Sequence, residues 1–260
     1  MKLLMVVGLS VLLAGCAIAP ARGLRVLFVG NQLSYANDLP AMVRALSLNQ
    51  AGLAISQTEL LAERDARLVD RITDGSLERV LAERRFDIVV LQDLRSYPLC
   101  SIKDPECLRA ATTLRESVAI VRRSSARAIW YSTYQQYPPV QQILSLRAAA
   151  LAGDLKLDLA DVGHAYMRYA MRRGEPGALL ARDQLSSAGS LIAAATILRA
   201  ILQQPLRSTP IESLCRHPWG EDNLHPVANA LASAQARPAK VCEMPPIAAQ
   251  AEIFAAANGL

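Results

Sequence analysis

The sequence predicts an α/β fold, a three-layer α/β/α sandwich around a parallel sheet of about five strands. Apolar runs of strand length alternate with stretches of helical periodicity from residue 24 to residue 203, which is the pattern of βαβ units. One run, FDIVVL at 86–91, is β-branched on both faces, as suits a strand covered by helices on both sides. A chain of 260 residues, 52% of them hydrophobic, can bury such a core as one domain.

The first strand is 24–29, LRVLFV, ending in Gly30-Asn31. A helix is expected after Asp38, with Leu39, Met42, Val43 and Leu46 on one face at the 3.6 period. Residues 53–61 form the second strand, 68–84 a helix with Leu77, Val80 and Leu81 inward, and 86–91 the third strand. A loop over 93–106 leads to a helix over 108–123, and 126–134 is the fourth strand, carrying Trp130 and Tyr131. Pro138-Pro139 precedes a helix ending at Gly153; 155–162 is the fifth strand, 165–173 a short helix and 187–203 a long one. Beyond Pro205 the periodicity fades into prolines, Trp219 and two cysteines, so 207–260 reads as a stapled appendage to a domain spanning 24–206.

Lys2, the apolar run 3–13 and Leu13-Ala14-Gly15-Cys16 read as a bacterial signal peptide over 1–15. The apolar run is too short for a permanent membrane span. Leu-Ala-Gly-Cys resembles a lipobox, which implies that Cys16 is acylated, that 16–23 is a tether, and that the chain meets a membrane through its lipid. Ala17 is not the aspartate associated with inner-membrane retention, so the same resemblance implies the periplasmic face of the outer membrane. Cys100, Cys107, Cys215 and Cys242 remain, an even number in an oxidising compartment. Pairing 100 with 107 and 215 with 242 is the simplest of the three possible connectivities. Metal binding is disfavoured, because there is no close Cys-x-x-Cys pair and His164, His217 and His225 are scattered. The formal charge of +5 and pI near 9.1 are spread along helical faces, which fits a solvated surface beside anionic envelope polymers and gives no reason to expect nucleic acid.

Four stretches, in order, resemble the SGNH (GDSL-type) hydrolase superfamily, whose fold is flavodoxin-like. The first is Gly30-Asn31-Gln32-Leu33-Ser34-Tyr35-Ala36-Asn37-Asp38-Leu39-Pro40, similar to a block GNS followed by an aromatic and NDLP. The others are Val89-Val90-Leu91-Gln92-Asp93 with Ser96, then 161–166, then Ala188-Gly189-Ser190-Leu191-Ile192-Ala193-Ala194. The resemblance implies ester hydrolysis without a cofactor, by a serine nucleophile and a histidine base that an aspartate orients. Here the nucleophile's position is Gln32, the base's is Gln184 and the aspartate's is Ala181, with Asp183 two residues away. The block of 63–66 offers no glycine for an oxyanion. Loss of nucleophile or base costs on the order of a million-fold, and losing both costs little more.

The reading that follows is a degenerate hydrolase of the cell envelope. It would bind cell-wall glycan or a protein partner through a polar cleft of Gly30, Asn31, Gln32, Gln92 and Gln184. The alternative is a working esterase on envelope carbohydrate with a relocated nucleophile, Ser34 or Ser96. Its base and orienter would be His225 and Asp222, which stand in the Asp-x-x-His-Pro spacing of the missing block. His164 and His217 carry no assigned role.

Overall fold

The structure, a computed structural model, describes residues 23–209 except 53, 102, 133, 136, 175–179 and 182–183, together with 232–233 and 245–260. Its elements begin with β1 (Leu24–Gly30), α1 (Gln32–Tyr35), a 3-10 turn (Ala36–Asp38), α2 (Leu39–Ser47) and β2 (Ile55–Ala62). They continue with α3 (Leu68–Thr73), α4 (Ser76–Glu83), β3 (Ile88–Gln92), α5 (Pro105–Arg123), β4 (Arg127–Ser132) and α6 (Pro138–Leu155). Then come β5 (Asp158–Asp161), α7 (Val162–Arg173), β6 (Leu180–Ala181), β7 (Gln184–Leu185), α8 (Ser187–Leu202), β8 (Ala232–Ser233) and α9 (Ile247–Asn258).

β2, β1, β3, β4 and β5 lie side by side in that order, all parallel, and β8 adds an antiparallel strand along β2. The five-stranded parallel sheet with helices on both faces matches the expected three-layer fold. Alternation along the strands sorts the core. Val26, Phe28, Ile88 and Val90 face the layer of α2, α7, α8 and α9. Leu27, Val29, Val89 and Leu91 face α4, α5 and α6. Helix starts follow their sequence signals: Asp104 accepts from Glu106 N before α5, Asp161 from His164 N before α7, and Ser186 from Gly189 N before α8.

The stretch 68–84 is not one helix. Gly75 takes φ +67 and separates α3 from α4, while Asp74 Oδ1 accepts from Ser76 N at 2.8 Å to restart the chain. The second departure lies in the stretch read as an appendage. Within it, α9 packs on α7 and α8 and buries Ile253, Phe254, Ala256 and Ala257 in the first core layer. Its sequence is so rich in alanine that no polar face marks it as amphipathic. The Cys100–Cys107 disulfide forms, with Cα atoms 5.7 Å apart. Cys16 and the leader, and Cys215 and Cys242, lie outside the described residues. Among the described residues no helix is long and apolar enough to cross a membrane.

Candidate functional site

In the strand order 2-1-3-4-5 the direction of winding reverses between β1 and β3, and a crevice opens there at the carboxyl ends of the strands. Gly30-Asn31-Gln32 leaves β1 into it, 63–66 leaves β2 and Gln92-Asp93 leaves β3.

The turn after β1 is built on Gln92. This side chain is fully buried, and its Oε1 accepts from Asn31 N at 3.0 Å and from Ser34 Oγ at 3.0 Å. Its Nε2 donates to the Asp93 carbonyl. Gln92 was expected to offer its carboxamide to a ligand; all three bonds instead go to protein, and Gln92 supports the turn from below. A Cβ at Gly30 would overlap Ser34 Oγ and Gln92 Oε1, so Gly30 is required by packing against this network. Asn31 is also fully buried. Its Oδ1 accepts from Leu33 N to cap α1, and its Nδ2 donates to Ala66 O at 3.2 Å, joining the first turn to the β2 loop.

Gln32, to which the resemblance gave the nucleophile's position, is half-buried. Its Nε2 donates to Asp65 Oδ1 at 2.9 Å, and its Oε1 accepts from Asp65 N at 2.8 Å. Asp65 has φ +56, a left-handed conformation that aspartate tolerates better than most residues, and this aims both its amide and its carboxylate at Gln32. The result is a closed two-bond clasp between the turns that follow β1 and β2. A carboxamide has no proton to give near neutral pH and forms no acyl intermediate. Asp65 was not singled out from the sequence; a short polar residue in a loop after a strand was its only signal.

Beside the clasp an open cavity of about 420 Å³ is lined by Glu63, Arg64, Asp65, Ala66, Asp70 and Arg71. Buried Arg71 pairs with Glu63 at 2.8 Å and with Asp74 at 3.3 Å. On the β3 side Arg67 lies over the Tyr97 ring at 4.2 Å and reaches Glu106 at 2.7 Å, which ties the loop after β3 to the start of α3. Between them Asp93 is buried. Burial raises its carboxyl above the usual range, opposed by hydrogen bonds from the Leu94 and Leu68 amides and by the Arg67 charge.

Ser34, one of the two serines weighed as a relocated nucleophile, is 1% exposed and commits its hydroxyl to Gln92. Ser96 is half-buried in the loop after β3, where its carbonyl accepts from Leu99 N. At Gln184 the backbone pairs with Ala181 across β6 and β7; its side chain lies outside the described residues, as do Asp183, His217, Asp222 and His225. Asn37, named in the first block but given no role, ties the region of β7 to the crevice by donating to Leu185 O at 2.6 Å and Ser190 Oγ at 2.8 Å. It too is left-handed, with φ 54. His164 faces a separate groove on α7. Among the described residues no group of three or more His, Cys, Asp or Glu could hold a metal.

No family model and no curated protein matches the chain. Solved structures do match. A protein from Slackia heliotrinireducens classed with the SGNH hydrolases superposes with TM-score 0.54 at 24% identity, over 69% of this chain and 100% of that one. An acetylxylan esterase from Geobacillus stearothermophilus gives TM-score 0.54 at 18% identity, over 72% of this chain and 98% of that one.

Proposed function

From the premise that this chain has the SGNH-hydrolase fold, we propose that it is a non-hydrolysing member of that structural class, held at the cell envelope by lipid on Cys16, which binds cell-wall glycan through the former active-site crevice. The Gln32–Asp65 clasp carries this reading: where the chemistry of the fold needs an ionisable hydroxyl, the chain has an amide engaged at both ends. Gln184 at the base's position supports it, because nucleophile and base have departed together. The cavity beside the clasp is lined by carboxylates and guanidiniums, which suits a hydroxyl-rich ligand held by hydrogen bonds. The likeness to an acetylxylan esterase points the same way, toward carbohydrate.

The test pairs two measurements on the purified full chain. Fluorophosphonate labelling and p-nitrophenyl acetate turnover should give nothing above buffer, while sedimentation with purified peptidoglycan or acetylated xylo-oligosaccharide titrations should show saturable binding. Asp65→Ala, which opens the clasp and alters the cavity wall, should change that affinity. Labelling of any serine would restore the esterase reading, and absence of glycan binding would refute the binding one.

A further inference from the structure

A second cavity, of about 380 Å³, lies away from the crevice, where β5 ends the described sheet and α7 and α8 wall its open edge. Its chemistry comes from Asp158, Asp161, His164, Arg168 and Arg199. Formally the signs are mixed, but Asp158 and one oxygen of Asp161 are already occupied. Asp158 pairs with Arg127 at 3.2 Å and accepts from Gln203 Nε2 at 3.1 Å. Asp161 Oδ1 accepts from the Ser132 and Ser145 hydroxyls and from His164 N.

The basic groups are only partly engaged. Arg168 gives Nε and Nη2 to Ala256 O, at 2.9 and 2.6 Å, and Arg199 gives Nη1 to Ala257 O at 3.3 Å. Both guanidiniums therefore converge on the carboxyl end of α9, whose partial negative charge favours them. A guanidinium has five N–H donors. Among the described residues these bonds leave three donors on Arg168 and four on Arg199. Among the described residues the His164 ring has no hydrogen bond, and Asp161 Oδ2 is 3.9 Å from its Nδ1. Burial pulls the Arg168 pKa down, opposed by Asp161, while Arg199 and Arg172 add to the pull. Burial likewise lowers His164, and Arg168 adds to it against Asp161. These are the directions expected where positive charge is short of partners.

We infer that this groove is an anion site that takes the phosphate group of a phosphomonoester, with Arg168 and Arg199 as the clamp and His164 as a third donor. Two guanidiniums on neighbouring helices suit the tetrahedral, doubly charged phosphate, whereas one carboxylate would be spanned by a single guanidinium. The volume leaves room for a small group esterified to it. The site is independent of the crevice and of what the crevice binds.

The test titrates the full chain with inorganic phosphate and with glucose 1-phosphate, following the His164 imidazole and the α7 and α8 amides by NMR. A parallel arm measures binding of the Cys16→Ala chain, which takes no lipid anchor, to phosphatidylcholine vesicles with and without phosphatidic acid. Saturable shifts at those resonances are expected, weakened about tenfold or more in Arg199→Gln, because a charge-assisted bond is lost. His164→Gln should weaken binding by a smaller factor. Unchanged circular dichroism and melting temperature in each variant separate lost binding from a loosened α9. Glucose 1-phosphate binding without vesicle binding assigns a soluble phosphomonoester; vesicle binding that needs phosphatidic acid and fails in Arg199→Gln assigns a lipid headgroup. No saturation by any probe, or equal binding by wild type and Arg199→Gln, overturns the inference.

Discussion

Gln92→Leu isolates what holds the crevice in shape. The substitution leaves the volume nearly filled but removes an acceptor of two bonds, from Asn31 N and Ser34 Oγ, and the donor to Asp93 O. Asn31 and Ser34 are buried to within 1% of full enclosure, so water cannot replace the lost partner. A stranded buried donor costs about 1–3 kcal/mol, and two of them make the expected loss about 2–6 kcal/mol. For a domain of this size that corresponds to a melting temperature lower by about 2–4 °C for each kcal/mol. Urea unfolding followed by tryptophan fluorescence measures it. The double variant Ser34→Ala, Gln92→Leu supplies the control: with the Ser34 hydroxyl gone, only the Asn31 amide is stranded. The two substitutions together should therefore cost less than their sum by about 1 kcal/mol. A Gln92→Leu variant within about 1 kcal/mol of wild type, or strict additivity in the double variant, would refute the account of Gln92 as the support of the turn.

Gln32→Ser should restore no turnover of p-nitrophenyl acetate, because a serine without a base is as inert as neither; its stability should fall by only about 1 kcal/mol, since the two bonds lost to Asp65 lie at the surface. A burst of nitrophenol from this variant would sink the argument. Asp93→Asn keeps an oxygen for the Leu68 and Leu94 amides but removes the buried charge. Because the folded carboxyl titrates above its unfolded value, wild-type stability from this group is greatest below the usual aspartate range and declines as pH rises through the raised value. The stability of Asp93→Asn relative to wild type should therefore climb across that window and stay flat below it, as urea titrations at a series of pH values would show. Reducing the Cys100–Cys107 bridge, which closes a sequence separation of 7, should cost about 2–3 kcal/mol by loop entropy, readable as a lower urea midpoint in dithiothreitol.

The parallel sheet was legible because β1, β3 and β4 are dense in apolar residues that face two cores, and nothing but a sandwiched strand tolerates that. The α3–α4 break was not, because Gly75 carries its conformation in a backbone angle that helical periodicity on either side conceals. α9 escaped notice for the opposite reason, having no polar stripe for periodicity to find. At the site the sequence located Asn31, Gln32 and Gln92 but misjudged what Gln92 touches. A carboxamide serves a ligand or a backbone turn equally well, and only the burial of Gln92 and its partners decides. The roles of Asp65 and Asn37 were missed because each works through a left-handed backbone that the residue type permits but does not announce.

The fit of Gly30 against Ser34 and Gln92 bears on how ancestry should be read in such chains. No residue with a Cβ enters that turn without displacing two buried oxygens. Purifying selection on folding alone would thus retain Gly30, Asn31, Ser34 and Gln92, independently of any turnover. Gln32 answers to no such constraint from below; its side chain bonds outward, to Asp65. The recognisable part of the first block is thus a packing unit, kept by the fit of the turn.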